Sequence, residues 1–313
     1  MILCIFFFQQ AHSSASGVWN KFYGHNNEEN VQYTRKPPPP NSEYNYFSIH
    51  QVLFMNFNSI VINLNNNNKN AKLLVSYCSF DSNKANETDS TNILQNSGHC
   101  VQYRTCSFNT YNEAGYPHSK LESGNNSIIE STLNRCKGYN GPIYLKTKSI
   151  VKYTNISTSI AISKSVYHIE RNGIVSYSTF FNNSAAETYC LFHLTDTVNI
   201  NNSNIISNKC SLSTKNNAVV YAAAHTKVNI YHCIIFKNSG NSTFNAEDNA
   251  EIFGLDNKLS QDVIIGSHVN INTEKIYSDP VNTKNLVTQL CLKVYNFVPT
   301  ATRNKYPRIF KRR

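Results

Sequence analysis

Short runs of alternating apolar and polar residues recur along most of the chain. Two similar phrases, CSFDSN from Cys78 and CSFNTYN from Cys106, have small or apolar residues at their first and third positions and a polar residue between them. Alternation with a period of two is typical of a β-strand that buries one face. No stretch of ten or more residues shows the apolar stripe of an amphipathic helix. The pattern therefore predicts an all-β protein that is nearly free of helix.

Related phrases return about every 25 residues, a period typical of solenoids. A repeat of two or three short strands cannot bury its apolar face alone, but stacked repeats bury a continuous core. The sequence therefore predicts a parallel β-helix of roughly 8–9 coils over residues 45–280. An antiparallel sandwich also uses short strands, but it does not explain the period. The copies begin at Leu53, Cys78, Cys106, Ser131, Thr154, Ser178, Ser203 and Cys233.

An asparagine follows the strand in several copies. Asparagine tolerates the left-handed αL conformation better than other residues that carry a Cβ atom, and its amide can bond the same group one coil away. We therefore expect these residues to form the corners of the coils. Cys78, Cys106 and Cys233 are expected at equivalent positions in a core column. The asparagines are Asn83, Asn183, Asn208 and Asn238.

The two ends of the chain fall outside the repeat. Residues 1–16 resemble the apolar part and cleavage zone of a signal peptide, although the positive residues that usually precede them are missing, and a truncated N-terminus is the alternative. Residues 17–44 are expected to form an N-terminal cap and a proline-rich connector. Residues 281–313 read as a basic, poorly ordered tail. The expected cap residues are Trp19, Phe22 and Tyr23.

The net charge of +10 belongs mainly to the C-terminal tail. From Lys284 onward the chain has eight basic residues and no acidic one, and the remaining 21 basic and 19 acidic residues give the rest a net charge of +2. A nearly neutral body does not favour a nucleic-acid partner. No apolar run is long enough for a transmembrane span.

Several features favour a secreted or cell-surface location. Six Asn-X-Ser/Thr sequons are candidate glycosylation sites. Nine cysteines leave eight after removal of a signal peptide, but no short-spaced framework is present, so few disulfides are expected. The chain also has 47 asparagines, which suits a fold with many tight bends. The sequons are Asn86, Asn125, Asn155, Asn182, Asn201 and Asn241.

No constellation of catalytic residues is recognisable. Glycoside hydrolysis needs two carboxylates that face each other across the sugar, and none of the seven aspartates shares a repeat position with another. Phosphate-binding, nucleophile-elbow and zinc-protease motifs are missing. We therefore expect neither catalytic activity nor a metal or cofactor. A carbohydrate-active enzyme, either a polysaccharide lyase or a glycoside hydrolase, is the alternative.

Tyrosines beside the repeated strand form the candidate ligand face. They lie one place from the repeated phrase, which is expected to put many of them on the outside of the coil. Rows of exposed tyrosines suit the binding of a glycan or of a host-surface protein, whereas ordinary edge packing is the alternative. The oligomeric state is not indicated. The candidates are Tyr77, Tyr103, Tyr153, Tyr177 and Tyr231.

The phrases CSFDSN, STFFNNSA, SNIISN, TLNRCKGYN and CIIFKNSG resemble the rungs of right-handed parallel β-helix proteins of the pectin-lyase-like superfamily. More narrowly, they resemble the Asn-rich, polymorphic-outer-membrane-protein-like surface families of protists such as trichomonads. The resemblance covers residues 45–275 and implies a right-handed coil, export and a role in adhesion. Two departures are the missing GGA-I/L tetrapeptide and the missing C-terminal span, which leave the mode of surface attachment open.

Overall fold

A computed structural model describes seven segments of the chain. The predicted tail 281–313, the Pro37–Pro40 run and most of the predicted signal segment lie outside these segments. The described residues are 15–24, 31–33, 45–64, 68–163, 165–186, 191–210 and 218–276.

The described residues form a parallel β-solenoid of about eight turns, which confirms the predicted fold class. Every described strand pairing is parallel and joins one coil to the next, so the antiparallel sandwich is wrong. The right hand of the coil stays a prediction from the resemblance. One nine-residue helix, α1 (Ala15–Tyr23), accompanies the strands.

Each complete coil contributes one strand to each of four ladders, and these are named here by their order in the coil. The first ladder comprises Val31–Tyr33, Tyr46–His50, Lys72–Ser76, His99–Tyr103, Asn126–Ile129, Ser149–Lys152, Gly173–Ser176, Thr197–Asn201, Lys227–Tyr231, Glu251–Leu259 and Val269–Ile276. The second ladder comprises Leu53–Met55, Ser79–Asp81, Cys106–Phe108, Thr132–Asn134, Asn155–Ser157, Thr179–Phe181, Asn204–Ile206 and Ile234–Phe236, and it ends on the last part of Glu251–Leu259.

The third ladder is short and the fourth closes the coil. Third-ladder strands have two residues each, and they are Lys84–Ala85, Tyr111–Asn112, Lys137–Gly138, Ile160–Ala161, Ser184–Ala185 and Lys209–Cys210. Fourth-ladder strands are Ile62–Leu64, Ile93–Gln95, Ser119–Leu121, Ile143–Leu145, Tyr167–Ile169, Phe192–Leu194, Ala218–Ala222 and Ser242–Ala246.

The core is a stack of inward side chains, one layer per coil. In the first ladder Leu73 and Val75 join the core, whereas Leu74 between them lies on the outer face. In the second ladder Phe54 and Phe80 stack with their ring centroids 5.1 Å apart. Because every strand alternates in this way, the solenoid has outward side chains on all sides of the core.

Two αL corners bound each second-ladder strand and are always five residues apart. The first corners are Gln51, Tyr77, Arg104, Glu130, Tyr153, Tyr177, Asn202 and His232, and Asp256 has the same conformation inside Glu251–Leu259 without a second corner after it. The second corners are Asn56, Ser82, Asn109, Arg135, Thr158, Asn182, Ser207 and Lys237. Residues of many types occupy these positions, so the chain does not need glycine or asparagine to turn there.

The prediction that Asn83, Asn183, Asn208 and Asn238 hold the αL conformation was wrong. In each case the residue before the asparagine is the corner, and the asparagine side chain points into the core. The predicted bonding from coil to coil is nevertheless present in part of the solenoid. The Asn208 Oδ1 atom accepts hydrogen bonds from the Asn183 backbone and amide at 3.0 and 3.1 Å, and Asn238 Oδ1 accepts the equivalent bonds from Asn208. The asparagines satisfy buried backbone groups next to the corner rather than forming it.

Two predicted copies of the repeat are displaced by one residue. Cys106 pairs with Ser79 and Phe108 with Asp81, so Thr105 is the true equivalent of Cys78. The predicted start at Leu53 is also one residue late. A slip of one residue exchanges the two faces of a strand, so Phe108 lies outside, half-buried. The predicted equivalence of the three cysteines was therefore wrong for Cys106, which is disulfide-bonded.

A polar cluster lies inside the apolar core, around the fully buried His118. The His118 Nε2 atom lies 2.8 Å from Gln102 Oε1, and its Nδ1 atom lies 3.2 Å from the Asn92 amide nitrogen. Asn92 also donates to Ser107 Oγ at 3.0 Å. The arrangement fits a neutral imidazole that donates through Nε2 and accepts at Nδ1. Burial lowers the pKa of His118 to about 3, so the imidazole stays neutral near pH 7.

One corner residue is expected to be strained. Thr158 is β-branched and exposed, and it has a φ of 53°. Such residues are rare in the αL region, where L-residues lose about 1–2 kcal/mol. Asn56, Asn109 and Asn182 occupy equivalent corners. We expect Thr158→Asn to raise the free energy of unfolding by about 0.5–1 kcal/mol in urea denaturation. The reciprocal Asn182→Thr variant should lower it by a similar amount, and two unchanged midpoints would contradict the expected strain.

Candidate ligand-binding face

The five candidate tyrosines all lie beside the first corner, on the outer side of the coil. Tyr77, Tyr153 and Tyr177 occupy the corner itself. Tyr103 and Tyr231 lie one position earlier in the coil, at the last residue of a first-ladder strand. The candidates therefore belong to two adjacent rows that run along the solenoid, about 4.8 Å per coil.

Helix α1 covers the N-terminal part of this face. Val18 and Trp19 are buried against Leu74 and Val101, two outward residues of the first ladder. The Trp19 ring meets Tyr46 edge-on at 5.8 Å. The helix thus packs on the side of the solenoid, and the cap and connector over residues 17–44 stay a prediction. Helix α1 is too short to show the apolar periodicity of a helix in the sequence. Packing on the first ladder stabilises it.

The other predicted cap residues hold the helix in place. The Tyr23 hydroxyl donates to the backbone oxygen of Leu73 at 2.9 Å, and the Phe22 ring lies 5.3 Å from that of Tyr103. Burial raises the pKa of Tyr23 well above its ordinary value. Tyr103 is only 5% exposed beneath the helix, so it is a packing residue rather than a ligand contact.

The middle of the face is an internally paired cluster. The Arg104 Nε atom lies 2.6 Å from Glu130 Oε2, and Nη1 donates to the Tyr77 hydroxyl at 3.2 Å. The guanidinium carbon also lies 5.2 Å above the Tyr103 ring. Burial, followed by the nearby Glu130 carboxylate, raises the pKa of Tyr103 to about 12. Because these side chains already bind one another, they leave few free hydrogen-bonding groups for a ligand. The cluster instead fixes the side-chain positions in this part of the face.

Beyond this cluster lies a surface, named here the aromatic strip, that is made of the exposed Tyr153, Ile174 and Tyr177 and the half-buried Ile150 and Lys152. The two tyrosine rings stack with centroids 5.2 Å apart and an interplanar angle of 27°. Their side chains are 48% and 52% exposed, and Ile174, which pairs with Ile150, is 38% exposed. The Lys152 ammonium lies 5.0 Å from one ring centroid and 5.7 Å from the other. The strip thus joins apolar surface, two phenol hydroxyls and a cation.

A second row of rings, on the outer face of the fourth ladder, was not predicted from the sequence. The Tyr144, His168, His193 and Tyr221 rings follow one another at centroid distances of 5.0, 4.5 and 5.7 Å. They come from positions in register on the strands IYL, YHI, FHL and AVVYA, and the recurrence of a ring there is the signal that could have revealed them. Tyr144 and Tyr221 are 8% and 5% exposed, so the row is largely buried.

The carboxylates beside this row are engaged with other side chains. The Tyr144 hydroxyl donates to Glu170 Oε1 at 2.6 Å, and the Lys120 ammonium lies 3.3 Å from Glu122 Oε1. Burial, followed by the bond to Glu170, raises the pKa of Tyr144. Tyr221 donates similarly to Glu247. Within the described segments, no group of three or more His, Cys, Asp or Glu residues is arranged to hold a metal ion.

The sequons differ in their accessibility. Asn86, Asn125, Asn182 and Asn241 are exposed, and Asn201 is half-buried. Asn155 is only 6% exposed within a second-ladder strand, so attached sugar there is incompatible with the folded coil. In the described part of the chain, no helix is both long enough and apolar enough to cross a membrane.

The chain matches no protein-family model, and searches of curated proteins and of solved structures give no match.

Proposed function

We propose that the protein is a non-catalytic, secreted or cell-surface binding protein whose aromatic strip docks a protein ligand. The observation that carries the proposal is the exposure of Tyr153, Tyr177 and Ile174 together on a regular, internally ordered face. Exposed apolar and aromatic side chains that adjoin one another mark interaction sites more often than scattered single residues do.

The orientation of the rings favours a protein over a glycan. A sugar stacks on the open face of an aromatic ring, but Tyr153 and Tyr177 turn one face toward each other at 5.2 Å. Each ring therefore has at most one face left for a sugar, whereas the ring edges and hydroxyl groups of both remain available. Tyrosines of this kind are enriched at protein interfaces, where the ring packs and the hydroxyl finds a hydrogen-bond partner.

The proposed location rests on two observations. Four exposed sequons, at Asn86, Asn125, Asn182 and Asn241, are available to a glycosylation machinery. The rungs also resemble those of the protist surface families, whose members are inferred to be exported and to act in adhesion. Adhesion to a host protein is accordingly the form of binding that we propose.

A peptide library displayed on phage tests the proposal directly. Peptides are selected on the immobilised wild-type chain, and the selected pool is then offered to a Tyr153→Ser/Ile174→Ser/Tyr177→Ser variant. Serine already occupies αL corners at Ser82 and Ser207, so the fold should be kept. We expect the variant to recover the selected phage at least about tenfold less well than the wild type.

The matched control is Tyr139→Ser, because Tyr139 is 43% exposed but lies outside the strip. It should recover the pool as well as the wild type. Failure to enrich any peptide on the wild type, or equal recovery by the strip variant, would overturn the proposed function. Circular dichroism of each variant checks that the solenoid is intact.

The fourth-ladder row favours one alternative function, a carbohydrate-active enzyme. Its rings and the neighbouring Glu122, Glu170 and Glu247 place acid and base groups along one side of the coil. Labelled polysaccharides incubated with the protein and sized by chromatography distinguish the two functions. Shortened polysaccharide would support the enzyme, whereas unchanged, unbound polysaccharide is the result expected for the protein-binding function.

A further inference from the structure

The face that carries the aromatic strip already binds one helix. Helix α1 seats Val18 and Trp19 on Leu74 and Val101, which become 0% and 5% exposed. Leu74 and Val101 are adjacent members of one outward row of the first ladder. The surface under α1 has branched apolar residues at its centre and aromatic rings at its side. A surface of this composition therefore suits an amphipathic helix.

The same row continues, without the helix, into the aromatic strip. Val101 is followed by Ser127, Ile150 and Ile174 in register from coil to coil. The α1 cluster reaches as far as Ile129, in the coil that precedes Ile150. The uncovered apolar positions of this row, Ile150 and Ile174, belong to two adjacent coils, which at 4.8 Å per coil span about 10 Å, the length of two helical turns. Continuity with the α1 site therefore points to a second helix as the shape that fits.

Two lysines flank the strip. Ile150 and Lys152 point outward from one strand by alternation, the exposed Lys148 lies just before that strand, and Ile174 and Ser176 point outward from the next. None of these five residues is acidic, and the Asp196 carboxylate at the start of the following strand accepts a hydrogen bond from the Asn172 amide at 3.4 Å. The nearest corner carboxylate, Glu130, is engaged by Arg104 at 2.6 Å. Among the described residues, neither lysine takes part in an ion pair.

We infer that the ligand of the aromatic strip is a short amphipathic helix of a partner protein, with apolar anchors on one face and Asp or Glu beside them. The inference rests on the proposed function and names its ligand class. The apolar face covers Ile150 and Ile174 as α1 covers Leu74 and Val101, and the acidic residues meet Lys148 and Lys152. The phenol hydroxyls of Tyr153 and Tyr177 lie at the edge of the same site, where they can bond polar groups of the helix.

Two designed probes test the inference. The first is a fluorescent, helix-stabilised peptide of 12 residues with Leu and Trp at the spacing i, i+3, i+4 and i+7 and Glu beside them. The second replaces every Glu with Lys. We expect the acidic probe to bind the full wild-type chain at least about tenfold more tightly than the basic probe in fluorescence anisotropy, with an affinity that falls as salt is added.

Charge reversal in the protein completes the test. Lys148→Glu/Lys152→Glu should reverse the preference for the two probes, and the single Lys152→Glu variant should reduce it. Lys209→Glu, an exposed substitution on the third ladder, should leave it unchanged. Equal binding of both probes to the wild type, or a preference untouched by the reversal, would overturn the inference.

The two proposals fail in different ways. If the phage selection enriches peptides that are neutral or rich in proline, the strip binds protein but the acidic helix is wrong. Failure of the selection on the wild type removes the proposed function itself. Binding of an anionic polysaccharide that is lost in Lys148→Glu/Lys152→Glu would show that the basic groups serve a glycan, which overturns the inference.

Discussion

Replacing Asn208 with alanine is expected to lower the free energy of unfolding by about 3–5 kcal/mol. The Asn208 side chain is fully buried. It lies between Asn183 and Asn238 in a row of hydrogen-bonded asparagines, named here the asparagine ladder. Its Oδ1 atom accepts two hydrogen bonds from Asn183, and its Nδ2 atom donates to Phe180 O at 2.9 Å and to Asn238 Oδ1 at 3.0 Å. Truncation leaves several buried polar groups without partners, each of which costs about 1–3 kcal/mol.

Urea denaturation followed by circular dichroism measures this loss. The control is Asn58→Ala, an exposed asparagine outside the ladder and outside the sequons, which should change stability by less than about 0.5 kcal/mol. If the two variants had equal midpoints, the ladder would contribute nothing beyond ordinary surface contacts. A reduced slope with denaturant would instead indicate that the C-terminal coils unfold separately from the rest.

Lowering the pH from 7 to 5 is expected to remove about 2 kcal/mol of stability through His118. The folded pKa of this residue is about 3 and its ordinary value is 6.5, because burial penalises the imidazolium form. Between these two values the unfolded chain binds a proton that the folded chain does not bind. Stability from this group is therefore complete above pH 6.5 and declines as the pH falls toward 3.

The comparison with His118→Gln isolates this contribution. Glutamine does not titrate, so the variant should lose about 2 kcal/mol less than the wild type between pH 7 and pH 5, whatever its stability at pH 7. Asn208→Ala is the matched control, since it is destabilised by another route and should keep the wild-type pH dependence. An unchanged acid response in His118→Gln would show that the imidazole is not held neutral. The groups around it are Asn92, Gln102 and the Phe80 ring.

The period of the repeat was predictable from the sequence, but its register was only partly so. The shared letters CSF equate Cys78 with Cys106, whereas the structure equates Cys78 with Thr105. Cys, Thr and Ser interchange at this position because each is small and offers a side-chain atom that can accept a hydrogen bond, and the first copy has Val52 there. Ser131 Oγ, for example, accepts the Thr105 N–H at 3.2 Å. Residue type alone therefore does not fix the register here.

The exposure of side chains on the outer face was only partly predictable from the sequence. Alternation tells which residues point outward, but it does not tell which are covered later by another element. Tyr103 and Tyr153 look alike in the sequence, yet α1 buries the first and leaves the second 48% exposed. The ring row of the fourth ladder gives little signal in the sequence because Tyr144, His168 and His193 each lie inside a three-residue strand, where period-two alternation has almost no length over which to appear.

The interval of five residues between the two corners is constant, so insertions and deletions act on a different part of the coil from point substitutions at the corners. Coils differ in length by up to seven residues, from 23 between Glu130 and Tyr153 to 30 between Asn202 and His232, yet this interval never varies. Insertions and deletions are therefore accommodated on the far side of the coil, while the corner edge keeps a fixed pitch. Along that edge, a point substitution exchanges one chemical group on a regular linear array. Related chains could thus diverge in what they bind, one position at a time, without any change of architecture.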